Sequence, residues 1–141
     1  MKIITLTGNA GTGKTTTLNA LYKELNPIDS ISGKRKLDIE DPSLNDNGDG
    51  DHKYFISWGG KRIAIVTGGD LAYQIVWNMG IYFGKGADVL IIANRRKQAP
   101  INIIESYGFP HRNIEKSIPE KTEQVEIIEK IKQYLEDLCQ Q

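Results

Sequence analysis

The 141-residue chain predicts an α/β fold with a mostly parallel central sheet of about five strands, helices on both faces and an antiparallel hairpin at one edge. Three observations lead to it. The hydrophobic pattern switches repeatedly between strand-like runs and a 3.6-residue period, which is the signature of alternating strands and helices. Two runs, Ile63-Ala64-Ile65-Val66 and Val89-Leu90-Ile91-Ile92-Ala93, are apolar without interruption, as strands buried on both faces require. Near the N-terminus a β-branched run passes through a glycine-rich turn directly into a helical pattern.

Taken in order, residues 3–7 form the first strand and stop at Gly8. Residues 14–25 follow as a helix, with Leu18, Leu21, Tyr22 and Leu25 on one face. Asn26-Pro27 ends it, because proline lacks an amide hydrogen and turns the preceding residue away from helical geometry. Residues 28–51 are polar and weakly patterned, with an edge strand expected over 36–40 and a loop over 45–51. Alternation of Tyr54, Ile56 and Trp58, then Gly59-Gly60, marks a hairpin feeding the strand at 63–66. Leu71, Ile75, Met79 and Tyr82 define the next helix, which Gly84 and Gly86 close. After the strand at 89–93 come a short helix over 100–107, an edge strand over 113–118 and a long helix from Pro119. Val125, Ile128, Ile131, Leu135 and Leu138 form the apolar stripe of that last helix. Tyr73 and Trp77, four apart, give the middle helix a second apolar face, which could serve a partner or a nucleotide base but is expected to be buried under neighbouring elements. With no repeat and no linker, residues 1–141 read as a single domain.

Bulk properties narrow the function classes. Eighteen basic and 18 acidic side chains cancel, so there is no global attraction to nucleic acid or to an anionic membrane. No apolar run approaches the roughly 20 residues that span a bilayer. Residues 1–6 lack the hydrophobic region of a signal peptide and read as a strand instead. The single Cys139 excludes an internal disulfide and fits a cytoplasmic protein. His52 and His111 are isolated from other zinc ligands, and residues 45–56 put Asn45 and Ile56 where a calcium loop needs carboxylates.

The chemistry is concentrated in Gly8-Asn9-Ala10-Gly11-Thr12-Gly13-Lys14-Thr15. Its spacing is glycine, four residues, glycine, lysine and threonine, placed between a strand and a helix. Glycines let the backbone turn so that successive amides converge on phosphate oxygens, and the positive end of the following helix adds to their pull. Lys14 is expected to reach the β and γ phosphates, Thr15 to hold magnesium through its hydroxyl, and Thr16 to reach the α phosphate. This loop resembles the Walker A motif of the P-loop NTPase superfamily, and the likeness is specific over residues 3–25 and architectural beyond them. It implies a three-layer P-loop NTPase-like domain binding ATP with Mg2+.

In open parallel sheets functional residues gather at the carboxyl ends of the strands. Thr67, Gly68, Gly69, Asp70, Asn94, Arg95 and Arg96 are therefore expected at the active edge, and Lys61, Arg62 and Asp88 at the opposite one. The resemblance would put a Walker B aspartate directly after the strand at 63–66, whereas Thr67-Gly68-Gly69 precede Asp70 here. Asp70 has two open roles, reaching the magnesium or capping the next helix. Arg95 or Arg96 is a candidate for stabilising charge on a transferring phosphoryl group. Asn94-Arg95-Arg96-Lys97 lacks the guanine-specific signature, which favours ATP. Three functions remain open: a small ATPase or nucleotide-controlled switch acting on a protein partner, a kinase using Asp38, Glu40 or Asp41 to hold a small-molecule acceptor, and a nucleotide-binding module without turnover.

Overall fold

In the computed structural model of the chain, the described residues are 1–9, 12–27, 30–32, 52–68, 72–94, 98–117 and 120–140. They form β1 (Lys2–Thr7), α1 (Lys14–Leu25), β2 (Lys53–Trp58), β3 (Lys61–Val66), α2 (Ala72–Gly84), β4 (Val89–Asn94), α3 (Gln98–Ser106), β5 (His111–Glu115) and α4 (Lys121–Cys139). The strand expected over 36–40 and the loop over 45–51 lie outside them.

The five strands make one mixed sheet in the order β2-β3-β4-β1-β5. Only β2 and β3 pair antiparallel, as the hairpin through Gly59-Gly60. The other neighbours are parallel, with Thr7 opposite Asn94 on one side and Glu115 on the other. Because successive side chains point to opposite faces, the two apolar runs divide between two cores. Ile63, Ile65, Val89, Ile91 and Ala93 join Leu18, Leu21, Tyr22 and Leu25 of α1 and Ile127, Ile128, Ile131 and Leu135 of α4. Ala64, Val66, Leu90 and Ile92 join Ile75, Met79 and Tyr82 of α2 and Ile104 of α3. Helices thus cover both faces, which explains why these strands carry no polar alternation.

Three expectations need correction. Val125 is half exposed, and Ile127 takes its place in the core. At 100° per residue Ile127, Ile131, Leu135 and Ile128 share an arc of about 100°, and Val125 falls about 60° beyond it, off the face that meets the sheet. Tyr73 and Trp77 are not buried but 70% and 68% exposed, since α2 meets the sheet through the opposite face that carries Ile75, Met79 and Tyr82. The strand expected from 113 starts at His111, where polar residues satisfied by β1 hide the strand pattern. No helix among the described residues is long and apolar enough to cross a membrane.

Candidate functional site

The sheet order places a change of direction between β1 and β4. Adjacent parallel strands β1 and β4 send the chain in opposite directions, β1 into α1 on the first face and β4 towards α3 on the second. Such a divergence at the carboxyl ends of neighbouring strands is where open α/β sheets bind ligands. The glycine-rich loop begins here, at Gly8, whose amide donates to the Asn94 carbonyl (3.1 Å).

The loop's local geometry follows from its residues. A Cβ on Gly8 would collide with the main-chain oxygen of Lys116 and stand 2.7 Å from Thr12 Oγ1, so only glycine lets β1 turn this close to the end of β5. Gly13 sits at the N-cap of α1 with φ 85° and ψ 24°, a left-handed conformation that favours glycine. Thr12 closes the turn by donating its hydroxyl to the Asn9 carbonyl (2.9 Å). The N-cap Gly13 has no side chain to cap α1, and the helix's first turn carries no acid, so among the described residues neither competes with an anion for the helix's positive end.

Lys14 is 7% exposed, and its ammonium group donates to the Gly8 carbonyl at 2.5 Å and the Asn9 carbonyl at 3.5 Å. A buried cation is therefore held within the loop by main-chain oxygens. Thr15 donates its hydroxyl to the Thr67 carbonyl (3.0 Å), joining the start of α1 to the end of β3. That donation is compatible with metal ligation by the same oxygen, because a hydroxyl ligates through a lone pair and not through its hydrogen. Thr16 is exposed beside it. These features fit a phosphate group with its cation: amides at a helix start, a lysine at the loop and a threonine hydroxyl facing the end of β3.

Of the residues expected at this edge, Gly8, Asn9, Thr12, Gly13, Lys14, Thr15, Thr67 and Asn94 are brought together. Ala10, Gly11, Gly69, Asp70, Arg95 and Arg96 lie outside the described residues, as do Asp38, Glu40 and Asp41. Arg62 and Asp88 do lie at the opposite edge, where the Asp88 carboxylate accepts the Arg62 amide (2.8 Å).

Two residues that sequence reasoning did not place at this edge, His52 and Lys116, also reach it, beside the expected Asn94. His52 is buried because β2 runs antiparallel, so its beginning lies against the end of β3; the His52 amide donates to Thr67 Oγ1 (2.7 Å). Lys116, 1% exposed, follows β5 beside Gly8 and pairs with Glu123 of α4 at 3.2 Å. Asn94 is fully buried and donates through Nδ2 to Thr7 Oγ1 (3.1 Å), while its Oδ1 has no hydrogen-bond partner among the described residues. The apolar run ahead of Asn94 signalled a strand end, whereas the polar residues 111–115 ahead of Lys116 gave no such signal. Nothing local marked His52.

From Asn94 a directed polar chain crosses the sheet. Thr7 and Thr5 both donate to Asn113 Oδ1, the second at 2.7 Å, and Thr5 Oγ1 lies 2.8 Å from His111 Nε2. With its proton committed to Asn113, the Thr5 hydroxyl accepts from His111, which places the imidazole proton on Nε2. Burial lowers the pKa of His111, a shift that the negative charge of Glu105 partly offsets. Among the described residues no group of three or more His, Cys, Asp or Glu could hold a metal ion.

No protein-family model matches this chain, and no curated protein or solved structure shows a detectable match to it.

Proposed function

We propose that this protein binds a nucleoside triphosphate, ATP with Mg2+, in the loop of residues 8–15, and that it is a small ATPase or nucleotide-controlled switch of the P-loop NTPase type. The observation that carries the reading is the loop's position and content together: Gly8 fixed by a close main-chain approach, Lys14 buried against the loop carbonyls, and the left-handed Gly13 at the start of α1 beside the β1/β4 divergence.

Each residue then has a task. The loop amides and the α1 terminus attract phosphate oxygens, and Lys14 exchanges its carbonyl contacts for the more negative phosphates. Thr15 offers its hydroxyl oxygen to the magnesium. The Thr15 to Thr67 hydrogen bond makes the end of β3, and through Thr67 the start of β2 at His52, responsive to what the loop holds. Bound magnesium nucleotide supplies the charge that draws these groups together. Asp70 and one of Arg95 and Arg96 complete the proposed site as metal contact and charge stabiliser.

Isothermal titration with ATP, GTP and ADP, each with and without magnesium, tests the reading. Lys14→Ala is expected to weaken ATP binding at least about 10- to 100-fold, the worth of one hydrogen bond to a charged group. Thr15→Ala is expected to remove most of the magnesium dependence. A folded Lys14→Ala protein with unchanged affinity refutes the assignment, and phosphate release from the wild type separates an ATPase from a binding module.

A further inference from the structure

Helix α2 is unusual for a helix with a solvent face: residues 72–84, Ala-Tyr-Gln-Ile-Val-Trp-Asn-Met-Gly-Ile-Tyr-Phe-Gly, contain no charged side chain. Surface helices ordinarily carry charge on the outer face, and a helix apolar all round is ordinarily covered all round. One side of α2 is covered by the sheet, through Ile75, Met79 and Tyr82. At 100° per residue, Tyr73, Trp77, Gly80 and Gly84 fall within a 60° stripe diametrically opposite. Tyr73 and Trp77 are 70% and 68% exposed, Gly80 and Gly84 are also exposed, and a Cβ at either glycine would meet nothing within 4 Å. The stripe therefore has two large projections at its beginning and two open depressions at its end.

We infer that this face pairs with the same face of a second copy of this chain, α2 against α2 in antiparallel orientation about a two-fold axis. The spacing is self-complementary. An axis midway between Asn78 and Met79 sets Trp77 of one copy opposite Gly80 of the other and Tyr73 opposite Gly84, so every projection meets a depression. A residue close to a two-fold axis faces its own copy, so a charge there would meet its like, and an uncharged helix avoids that repulsion. Size agrees. A Tyr or Trp covers about 150–250 Å² when fully buried, so the four exposed rings of two copies supply roughly 600 Å². Phe83, 59% exposed, and the half-buried Val76 and Ile81 flank the stripe. Their contribution brings the total to about 1,000–1,200 Å², the low end for specific interfaces and the size class of weak, reversible pairs.

Sedimentation equilibrium from about 1 to 200 μM tests the pairing, a range chosen to bracket micromolar association. The wild type is expected to pass from monomer to dimer. Gly80→Leu, which fills a depression at a solvent-facing helix position, and Trp77→Gly, which removes a projection, are each expected to weaken association at least tenfold while circular dichroism shows the fold intact. The double swap W77G/G80W moves the projection to the other side of the axis and is expected to restore the dimer. A wild type that stays monomeric throughout, a Gly80→Leu protein that dimerises normally, or a folded double swap that stays monomeric overturns the inference.

Discussion

Adding one methyl group at Gly8 probes a close main-chain approach between the loop and the end of β5. In Gly8→Ala the new Cβ overlaps the Lys116 main-chain oxygen and stands 2.7 Å from Thr12 Oγ1. The hydroxyl can rotate away, but the carbonyl cannot, because the Lys116 amide is fixed to the Thr7 carbonyl at 2.7 Å. Relief requires either the loop to open or the end of β5 to move off β1. Overpacking of this kind costs about 1–3 kcal/mol. Weakening the Lys116 to Thr7 hydrogen bond adds about 1 kcal/mol. For a chain of this length the expected loss of about 2–4 kcal/mol lowers the melting temperature by roughly 6–12 °C. The loop that moves is the one proposed to hold phosphate, so ATP affinity should fall in the fraction that remains folded. Thermal unfolding followed by circular dichroism, together with titration of ATP below the transition, measures both effects. An alanine variant melting within about 2 °C of the wild type would refute the packing of the loop against β5. Lost stability with unchanged ATP affinity would instead separate that packing from nucleotide binding.

Other perturbations test other parts of the fold. Tyr54→Phe removes the phenol hydrogen bond to Asn19 Oδ1 (2.9 Å) but keeps the ring stacked on Tyr22, and is expected to lower stability by about 1 kcal/mol in urea unfolding. A loss near zero would mean that this hydrogen bond adds nothing to the apolar packing between β2 and α1. Replacing Glu123 by Gln takes the carboxylate charge from the buried Lys116 and should cost about 1–3 kcal/mol, read in the same assay. The depressed pKa of His111 sets a pH dependence. The neutral imidazole is favoured in the fold, so its stabilising effect is full above the unfolded-state value near 6.5 and is lost as pH falls through the lower folded-state value. His111→Gln should flatten the fall in stability between neutral pH and pH 5, and identical pH profiles for the two proteins would sink this assignment.

Much of the architecture follows from the sequence alone. The uninterrupted runs at 63–66 and 89–93 could satisfy their hydrophobic surface only as central strands covered on both faces, and that is where they lie. Gly59-Gly60 between alternating Tyr54, Ile56, Trp58 and an apolar run marked the hairpin. The glycine-rich loop was also legible, because its spacing is local and its chemistry depends on backbone that glycine alone permits at Gly8 and Gly13. Contacts made across the sheet were not legible. Strand order is set by how α1 and α4 share one face and α2 and α3 the other, and no local pattern records that division. It is strand order that brings Asn94 to Thr7, His111 to Thr5 and Lys116 to the back of Gly8, pairs separated by 87 to 108 positions. Direction matters as well: His52 reaches the loop edge only because β2 is antiparallel to β3. The exposure of Tyr73 and Trp77 was decided in the same way. An amphipathic period reports that a helix has two faces, while tertiary packing selects the one that meets the sheet, here the face with Ile75, Met79 and Tyr82.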